Sequence, residues 1–168
     1  ILRVDLASGD IGVEEPDEML YRRYLGGGGM GAYYLLKEVP RGADPLGPEN
    51  KLMFMTSPLN GTPLSGVNRY SAIAKSPLTG GYGEAEAGGY WGPELKMAGF
   101  DGIIVEGQSA EPVYLYVHDG EAELRDASSY WGQLADAVQH GLEEEIGDKR
   151  IRVLQTGVAG ENLVRYAA

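Results

Sequence analysis

The chain has 168 residues, of which 43% are hydrophobic and 23% charged, so it is able to bury a core. Its net charge of −11 opposes binding to phosphate backbones and no basic stripe offsets it, so no nucleic acid is expected as a partner. The absence of cysteine excludes disulfides, thiolate zinc sites and an iron-sulfur cluster ligated by this chain. Without a long apolar run or a leader, we expect no membrane partner.

The first third of the chain predicts a hairpin and two helices. Apolar residues alternate on either side of a turn within residues 2–13, which predicts a β-hairpin with one buried face. Pro16, followed by two acidic residues, begins a helix expected to end at Gly26. A second helix is predicted over residues 30–38, and the glycines of residues 26–29 are interpreted as the turn between the two helices.

The middle of the chain predicts three strands, at residues 51–56, 69–75 and 82–87, joined by loops rich in glycine and proline. Pro93 begins a short helix that Gly99 ends.

The last third predicts a further set of strands around one amphipathic helix. Leu134, Val138 and Leu142 recur at every fourth residue, which is typical of a helix with one buried face. The predicted helix covers residues 130–146, and the predicted strands cover residues 103–106, 113–117, 122–125, 151–155 and 163–167.

The same order of elements occurs near both ends of the chain: hairpin, helix, strand ending in threonine, and strand containing Arg-Tyr. Thr56 corresponds to Thr156, and Arg69 corresponds to Arg165. We interpret this as an internal duplication with halves at about residues 1–100 and 101–168, the alternative being chance recurrence of a common order. The expected fold class is α+β, with duplicated β-β-α-β-type halves that give two packed mixed β-sheets and a few helices.

Two glycine-rich stretches need an explanation. Gly26, Gly28 and Gly31 match the G-x-G-x-x-G spacing of dinucleotide-binding loops, but a predicted helix precedes them where that motif needs a strand, so a helix-to-helix turn is favoured. A second cluster follows residue 80, where glycine costs stability unless the sheet bends or lies against a bulky ligand. Arg69 and Lys75 precede this cluster and either bind an anion or are solvated.

The remaining polar residues give no catalytic assignment. His118 and His140 have no partners for a triad and are interpreted as surface or boundary residues. Glu143, Glu144 and Glu145 point in different directions on a helix, so a solvated face is favoured over a metal site.

A series of short motifs extends over nearly the whole chain, and together they are specific although each is weak alone. They include Pro58-Leu59-Asn60-Gly61-Thr62, Arg69-Tyr70, Lys75-Ser76-Pro77-Leu78-Thr79-Gly80, Gly88-Gly89-Tyr90-Trp91-Gly92, Ala98-Gly99-Phe100-Asp101 and Gly160-Glu161-Asn162-Leu163. In content and order they resemble the N-terminal domain of the tungsten-containing aldehyde ferredoxin oxidoreductase family.

The resemblance implies a base domain for a bis-pterin tungsten cofactor, tungstopterin, of the molybdopterin type. Complete enzymes of the family oxidise aldehydes to carboxylic acids and pass electrons to ferredoxin through a 4Fe-4S cluster bound by later domains. The resemblance therefore implies a cytoplasmic oxidoreductase of anaerobic organisms. The implied partners are the aldehyde substrate, ferredoxin and the remaining domains of the same enzyme, and a homo-oligomer is left open. Residues 1–168 are expected to be incomplete at the C-terminal end and inactive alone.

The resemblance also assigns cofactor-binding positions. Arg69 matches the family's contact to the cofactor phosphate and pterin, Gly88 matches its contact to the pterin, and Ala87 lies between the assigned positions. The family's asparagine, whose backbone carbonyl binds a magnesium bridging the two phosphates, falls on Glu86. A backbone ligand survives this substitution, but the added carboxylate repels phosphates unless it points away or assists the metal.

Two alternatives remain open at this point. One is a subunit of the same family that acts on a different substrate, such as a sugar aldehyde, or reduces an aromatic thioester. The other is a non-catalytic interaction module, which the retained Arg69, Gly88 and bare glycine cluster oppose.

Overall fold

The computed structural model describes residues 1–167 and confirms the α+β class, with a six-stranded mixed sheet, a two-stranded sheet and five helices in that range. The elements in chain order are β1 (Leu2–Asp5), β2 (Ile11–Val13), α1 (Glu18–Tyr24), α2 (Gly27–Glu38), β3 (Leu52–Thr56), β4 (Tyr70–Lys75), β5 (Tyr82–Ala87), α3 (Trp91–Met97), β6 (Gly102–Glu106), β7 (Val113–His118), β8 (Glu121–Asp126), α4 (Ala135–Ile146) and α5 (Gly157–Glu161).

The large sheet has the strand order β2-β1-β6-β3-β4-β5. Strands β1 and β6 are parallel, and all other neighbours in this sheet are antiparallel. The second sheet is the antiparallel pair of β7 and β8. Strand β5 therefore lies at one edge of the large sheet, where its outer backbone groups have no neighbouring strand among residues 1–167.

Helix α2 covers one face of the large sheet, over β3 and β4. Its Met30 and Tyr34 form a buried cluster with Met53, Met55 and Ile73 of the sheet. The opposite face buries Leu2, Val4 and Ile103 against α3, with Leu115 and Leu124 of the second sheet packed around them. Fully burying one such side chain stabilises the fold by about 1.5–3 kcal/mol, so both faces of the central strands are fixed by packing.

The junction of α1 and α2 differs from the prediction. Helix α1 begins at its N-cap Asp17, whose carboxylate accepts hydrogen bonds from the backbone of Met19 and Leu20, and it ends at Leu25 in the left-handed conformation with φ of 60°. Helix α2 then begins at Gly27, three residues before the predicted start, so only Gly26 separates the helices. Packing against the sheet stabilises a glycine-rich first turn that local propensity disfavours.

Three predictions in the last third are wrong. Helix α4 begins at Ala135, because residues 130–134 form turns and an extended step before it. Residues 151–155 and 163–167 are not strands. A strand needs a partner strand for its backbone, and residues 151–155 contact α4 instead. The side chain of Gln139 in α4 donates from Nε2 to the carbonyl of Ile151 at 3.4 Å, and the side chain of Gln155 donates from Nε2 to the backbone carbonyl of Ala135 in α4 at 2.9 Å.

The hairpin and helix of the predicted duplication occur twice, as β1, β2 and α1 and again as β7, β8 and α4, but the second copy is not followed by a strand within residues 1–167. Over the same residues, no helix combines the length and the apolar character needed to cross a bilayer.

Candidate functional site

The four residues assigned to the cofactor lie together at one end of the large sheet. Arg69 directly precedes β4, Glu86 and Ala87 end β5, and Gly88 follows. The two strands are antiparallel neighbours in which Tyr70 pairs with Ala87, so the start of β4 lies beside the end of β5. Residues 86–90 comprise the last two residues of β5 and the three that connect it to α3; all but the half-buried Ala87 are exposed, and we call this stretch the open segment.

The side chains of Arg69 and Glu86 lie on the same face of the large sheet as α2, which covers that face further along β4. Glu86 pairs with Ser71, which directs both side chains to the same face. The Nη1 atom of Arg69 is 3.7 Å from Oε2 of Glu86, and the two side chains are 63% and 55% exposed. An ion pair this exposed is weak, so the guanidinium remains available to a stronger anionic partner.

The backbone carbonyl of Glu86 points away from β4. Ser76 and Gly81 form a hydrogen-bonded pair, because the N–H of Ser76 donates to the carbonyl of Gly81. The next pair along the ladder, Lys75 with Tyr82, therefore has no hydrogen bonds between its two members. Because such pairs alternate along an antiparallel ladder, Glu86 belongs to the same class, and its N–H and C=O lie on the free edge of β5. A backbone oxygen at this place is the type of ligand that magnesium prefers.

The glycines of the open segment are not required by packing within the chain. A Cβ on Gly88 would meet only the carbonyl of Asn68, at 3.9 Å, and one on Gly89 would meet nothing within 4 Å. Their N–H groups make no hydrogen bond to residues 1–167. Backbone N–H donors that are free and uncovered by side chains, next to an arginine, are typical of an anion-binding surface.

A second guanidinium lies at the other end of the open segment. The Cζ atom of Arg152 is 5.0 Å from the ring centroid of Tyr90. Arg152 could not be predicted from the sequence as part of this site, because nothing local connects it to Tyr90. The contact depends on the path of residues 148–155 past α4, which no motif encodes.

The outer part of β5 is fixed to the first turn of α2. The hydroxyl of Tyr82 donates to Glu84 at 2.8 Å and lies 3.2 Å from the carbonyl oxygen of Gly28. Burial, and then the bond to Glu84, raises the pKa of Tyr82, so this hydroxyl stays protonated. The carboxylate of Glu84 occupies the place of a Cβ on Gly28, which puts negative charge at the helix N-terminus, where it is favourable.

The opposite face of β4 and β5 carries only small side chains beyond Tyr70. Paired residues point to the same side, and the pairs beyond Tyr70 are Ala72 with Ala85 and Ala74 with Gly83. This flat face offers room for a broad ligand or a neighbouring domain.

A cavity of about 260 Å³ opens at the same end of the sheet, between α1, α2 and the loop after β3. Leu25, Met30 and Met55 form apolar walls, and the ion pair of Lys96 with Asp101 forms the polar end. The sequence contains no signal for this cavity, because its walls come from four separate elements.

The other candidates from the sequence are bound elsewhere. Lys75 Nζ donates to the carbonyl of Ala43 at 2.5 Å and is not part of the site. His118 Nδ1 lies 3.8 Å from Asp119, and His140 Nδ1 lies 2.7 Å from the carbonyl oxygen of Asp136. Glu145 accepts hydrogen bonds from the hydroxyls of two tyrosines, Tyr114 and Tyr130. In the described part of the chain, no three metal-binding side chains converge. The strand required for a dinucleotide loop before Gly26 is absent there too, since α1 precedes it.

Comparison with known proteins identifies the relatives of this chain. It is 51% identical over 168 residues to a tungsten-containing aldehyde ferredoxin oxidoreductase of Pyrococcus abyssi, covering 100% of this chain and 28% of that protein. It is 37% identical over 183 residues to the WOR-like subunit of an aliphatic sulfonate oxidoreductase of Pyrococcus furiosus, covering 100% of this chain and 29% of that protein.

Among solved structures, the active site complex BamBC of benzoyl coenzyme A reductase, in complex with 1,5 dienoyl-CoA, matches with a TM-score of 0.95 and 41% identity. The match covers 98% of this chain and 25% of that one, so the chain spans between a quarter and a third of the length of these relatives. The family model of the aldehyde ferredoxin oxidoreductase N-terminal domain matches residues 1–168. The resemblance found in the motifs is therefore confirmed, and the chain belongs to the aldehyde ferredoxin oxidoreductase family as its N-terminal domain.

Proposed function

We propose that this chain is the base domain for tungstopterin in an enzyme that oxidises aldehydes to carboxylic acids, with ferredoxin as the electron acceptor. The observation that carries the proposal is the open segment, a bare glycine backbone with free N–H donors beside an exposed arginine. The tungsten-containing relatives named above support the type of cofactor.

The residues present fit the phosphate and pterin groups of such a cofactor. Arg69 offers a guanidinium fork to a phosphate, and Gly88 allows a flat ring system to approach the backbone. Ala87 continues the small-residue face of the sheet, and the carbonyl of Glu86 faces the free edge, where it serves as a magnesium ligand. When bound, the metal-pterin group supplies the two-electron redox chemistry, which this chain's side chains do not provide.

The carboxylate of Glu86 opposes binding of phosphate. It lies on the same sheet face as Arg69 and competes with a phosphate for the guanidinium. A magnesium ion held by the backbone carbonyl of Glu86 would supply positive charge that offsets this repulsion. The 4Fe-4S cluster requires ligands from outside this cysteine-free chain, so the ferredoxin contact and the catalytic groups are assigned to the rest of the enzyme.

The proposal is tested with Arg69→Gln in the full-length protein. One hydrogen bond from a charged donor to phosphate contributes about 1.5–3 kcal/mol, whereas loss of an exposed side chain changes folding stability by less than about 0.5 kcal/mol. We expect a large loss of tungsten per protein with an unchanged melting temperature. Arg22→Gln is the control, because Arg22 also pairs with a glutamate on the surface, Glu18. Equal tungsten content in wild type and Arg69→Gln would contradict the proposal.

The similarity to the benzoyl coenzyme A reductase complex favours a second candidate, the reduction of an aromatic thioester on the same base domain. A substrate panel on the purified holoenzyme distinguishes the two. Aldehyde-dependent reduction of a viologen dye supports the first. Oxidation of the reduced dye by an aromatic coenzyme A thioester, without aldehyde activity, supports the second.

A further inference from the structure

Arg152 has no carboxylate within ion-pair distance among residues 1–167, although the chain is strongly acidic. The one hydrogen bond of its guanidinium in that range is from Nη1 to the carbonyl of Ile151, at 3.0 Å. Arg150, two residues earlier, differs: its Nε and Nη2 donate to Asp148 at 3.0 and 2.8 Å. Arg150 is therefore ion-paired, whereas Arg152 makes no direct contact with a carboxylate and acts on Asp148 only at longer range.

Arg152 is exposed, as is Tyr90, but its position is supported from two sides. Its guanidinium packs over Tyr90, and the backbone that carries it is held to α4 by hydrogen bonds from Gln139 and Gln155. Stacking on an aromatic ring leaves the in-plane N–H donors of an arginine free. A group held in place in this way loses less entropy when it binds a ligand than a mobile side chain does.

Arg152 and Arg69 contact opposite ends of the open segment. Arg69 lies beside Glu86, Arg152 lies on Tyr90, and the bare glycines Gly88 and Gly89 are between them. The segment therefore presents free backbone N–H donors flanked by two guanidiniums, which suits a ligand with more than one negative oxygen.

We propose that Arg152, positioned by Tyr90, is a second phosphate-binding residue of the cofactor site, at the end of the open segment opposite Arg69. This inference rests on the proposed function, because the phosphate ester is taken to be that of the pterin cofactor. Tyr90 acts through Arg152 and is a positioning residue.

The test measures the rate at which the full-length, tungsten-loaded enzyme loses tungsten during dialysis at raised salt. We expect Arg152→Gln to lose tungsten about tenfold to a hundredfold faster than wild type, the range that corresponds to one charged hydrogen bond. Its loss should also depend less on salt concentration, because one screened contact is gone. Tyr90→Leu should accelerate the loss, and Tyr90→Phe should restore the wild-type rate, because the ring face remains.

Arg150→Gln is the matched control, since it removes the same charge from the same segment and should leave the rate unchanged. Equal acceleration in Arg150→Gln and Arg152→Gln would overturn the inference, because a general charge effect then explains both. A wild-type rate in Arg152→Gln with rapid loss in Arg69→Gln would overturn it while leaving the proposed function intact. A wild-type rate in both would overturn the two together. Unchanged tungsten loss with a raised KM for an anionic substrate would assign Arg152 to the substrate instead.

Discussion

The two glycine-rich segments of this chain, residues 26–31 and residues 88–89, differ in what surrounds their glycines, although Gly26 and Gly89 share a positive φ, of 95° and 90°, that favours glycine. A Cβ on Gly26 would lie 2.2 Å from the carbonyl oxygen of Thr56, and one on Gly31 would lie 2.5 Å from Ile73 Cδ1, so the protein itself fills that space. At Gly88 and Gly89 the corresponding space is open. The first set of glycines allows α2 to approach the sheet, and the second leaves a surface uncovered. Glycine content alone therefore does not identify a binding site. The informative observation is whether the space that a side chain would fill is occupied by the protein or open.

The charged residues show the same contrast between the two ends of the sheet. At the end away from the open segment, Arg3, Glu38, Lys51 and Glu106 form ion pairs in a partly buried cluster, in which Nη1 of Arg3 is buried and has no hydrogen-bond partner among residues 1–167. At the open end, Arg69 has a weak, exposed partner, and Arg152 has no carboxylate partner in residues 1–167. The charges of the first cluster are paired within the protein, whereas those of the second set are exposed and have no strong ion-pair partner among residues 1–167.

Gly26→Ala gives the largest expected effect on stability. The residue has φ of 95°, and the new Cβ would also collide with backbone that cannot move away, so the free energy of unfolding should fall by more than about 3 kcal/mol. Gly42→Ala is the control, since Gly42 has φ of 91° with open space around it and should lose about 1 kcal/mol. Chemical denaturation of the full-length variants measures both. Equal losses of unfolding free energy in the two variants would mean that the close contacts at Gly26 add nothing to the cost of the substitution.

Glu38→Gln is expected to have an intermediate effect. Burial alone raises the pKa of Glu38, but hydrogen bonds from Arg3 and Lys51 outweigh it, so the net pKa lies below its usual value. A lowered folded-state pKa gives stability that is present above the unfolded value and lost as pH falls through the folded one. The variant should therefore lose about 1.5–3 kcal/mol at neutral pH and less under acid conditions.

Denaturation of Glu38→Gln at a series of pH values measures this difference, with Glu86→Gln as its counterpart at the open end. Because Glu86 is exposed, its variant should change the free energy of unfolding at neutral pH by less than about 0.5 kcal/mol. A deficit in Glu38→Gln that stays constant down to acid pH would show that the carboxylate acts through packing and not through its charge.

Local patterns predicted the elements that form from nearby residues. The hairpin of β1 and β2, and strands β3 to β5, follow alternation and turn residues, and the structure has them within one or two residues of the predicted bounds. Residues 151–155 have the same apolar alternation but no partner strand, so the pattern was not sufficient. Strand formation depends on partner strands that can lie anywhere in the sequence, and the alternation within one segment does not identify them.

The candidate site was predicted in part. Motif order placed Arg69 and Gly88 in one site, and the register of β4 and β5 brings them together. The stacking of Arg152 on Tyr90 was not predictable, because it depends on a long-range path past α4 that leaves no periodic signal. The early start of α2 was missed for a related reason: close packing on the sheet compensates for glycines that disfavour a helix.

The smallest expected effect on stability belongs to the variant that tests the central claim most directly, Gly88→Leu in the full-length enzyme. The new side chain enters open space at a backbone conformation that tolerates it, so the free energy of unfolding should change by less than about 0.5 kcal/mol. Tungsten per protein should nevertheless fall to near zero, because the leucine side chain fills the space that we propose the cofactor occupies. Gly12→Leu, at an equally open position on β2, should retain full tungsten. Wild-type tungsten content in Gly88→Leu would contradict the claim that the open segment holds the cofactor.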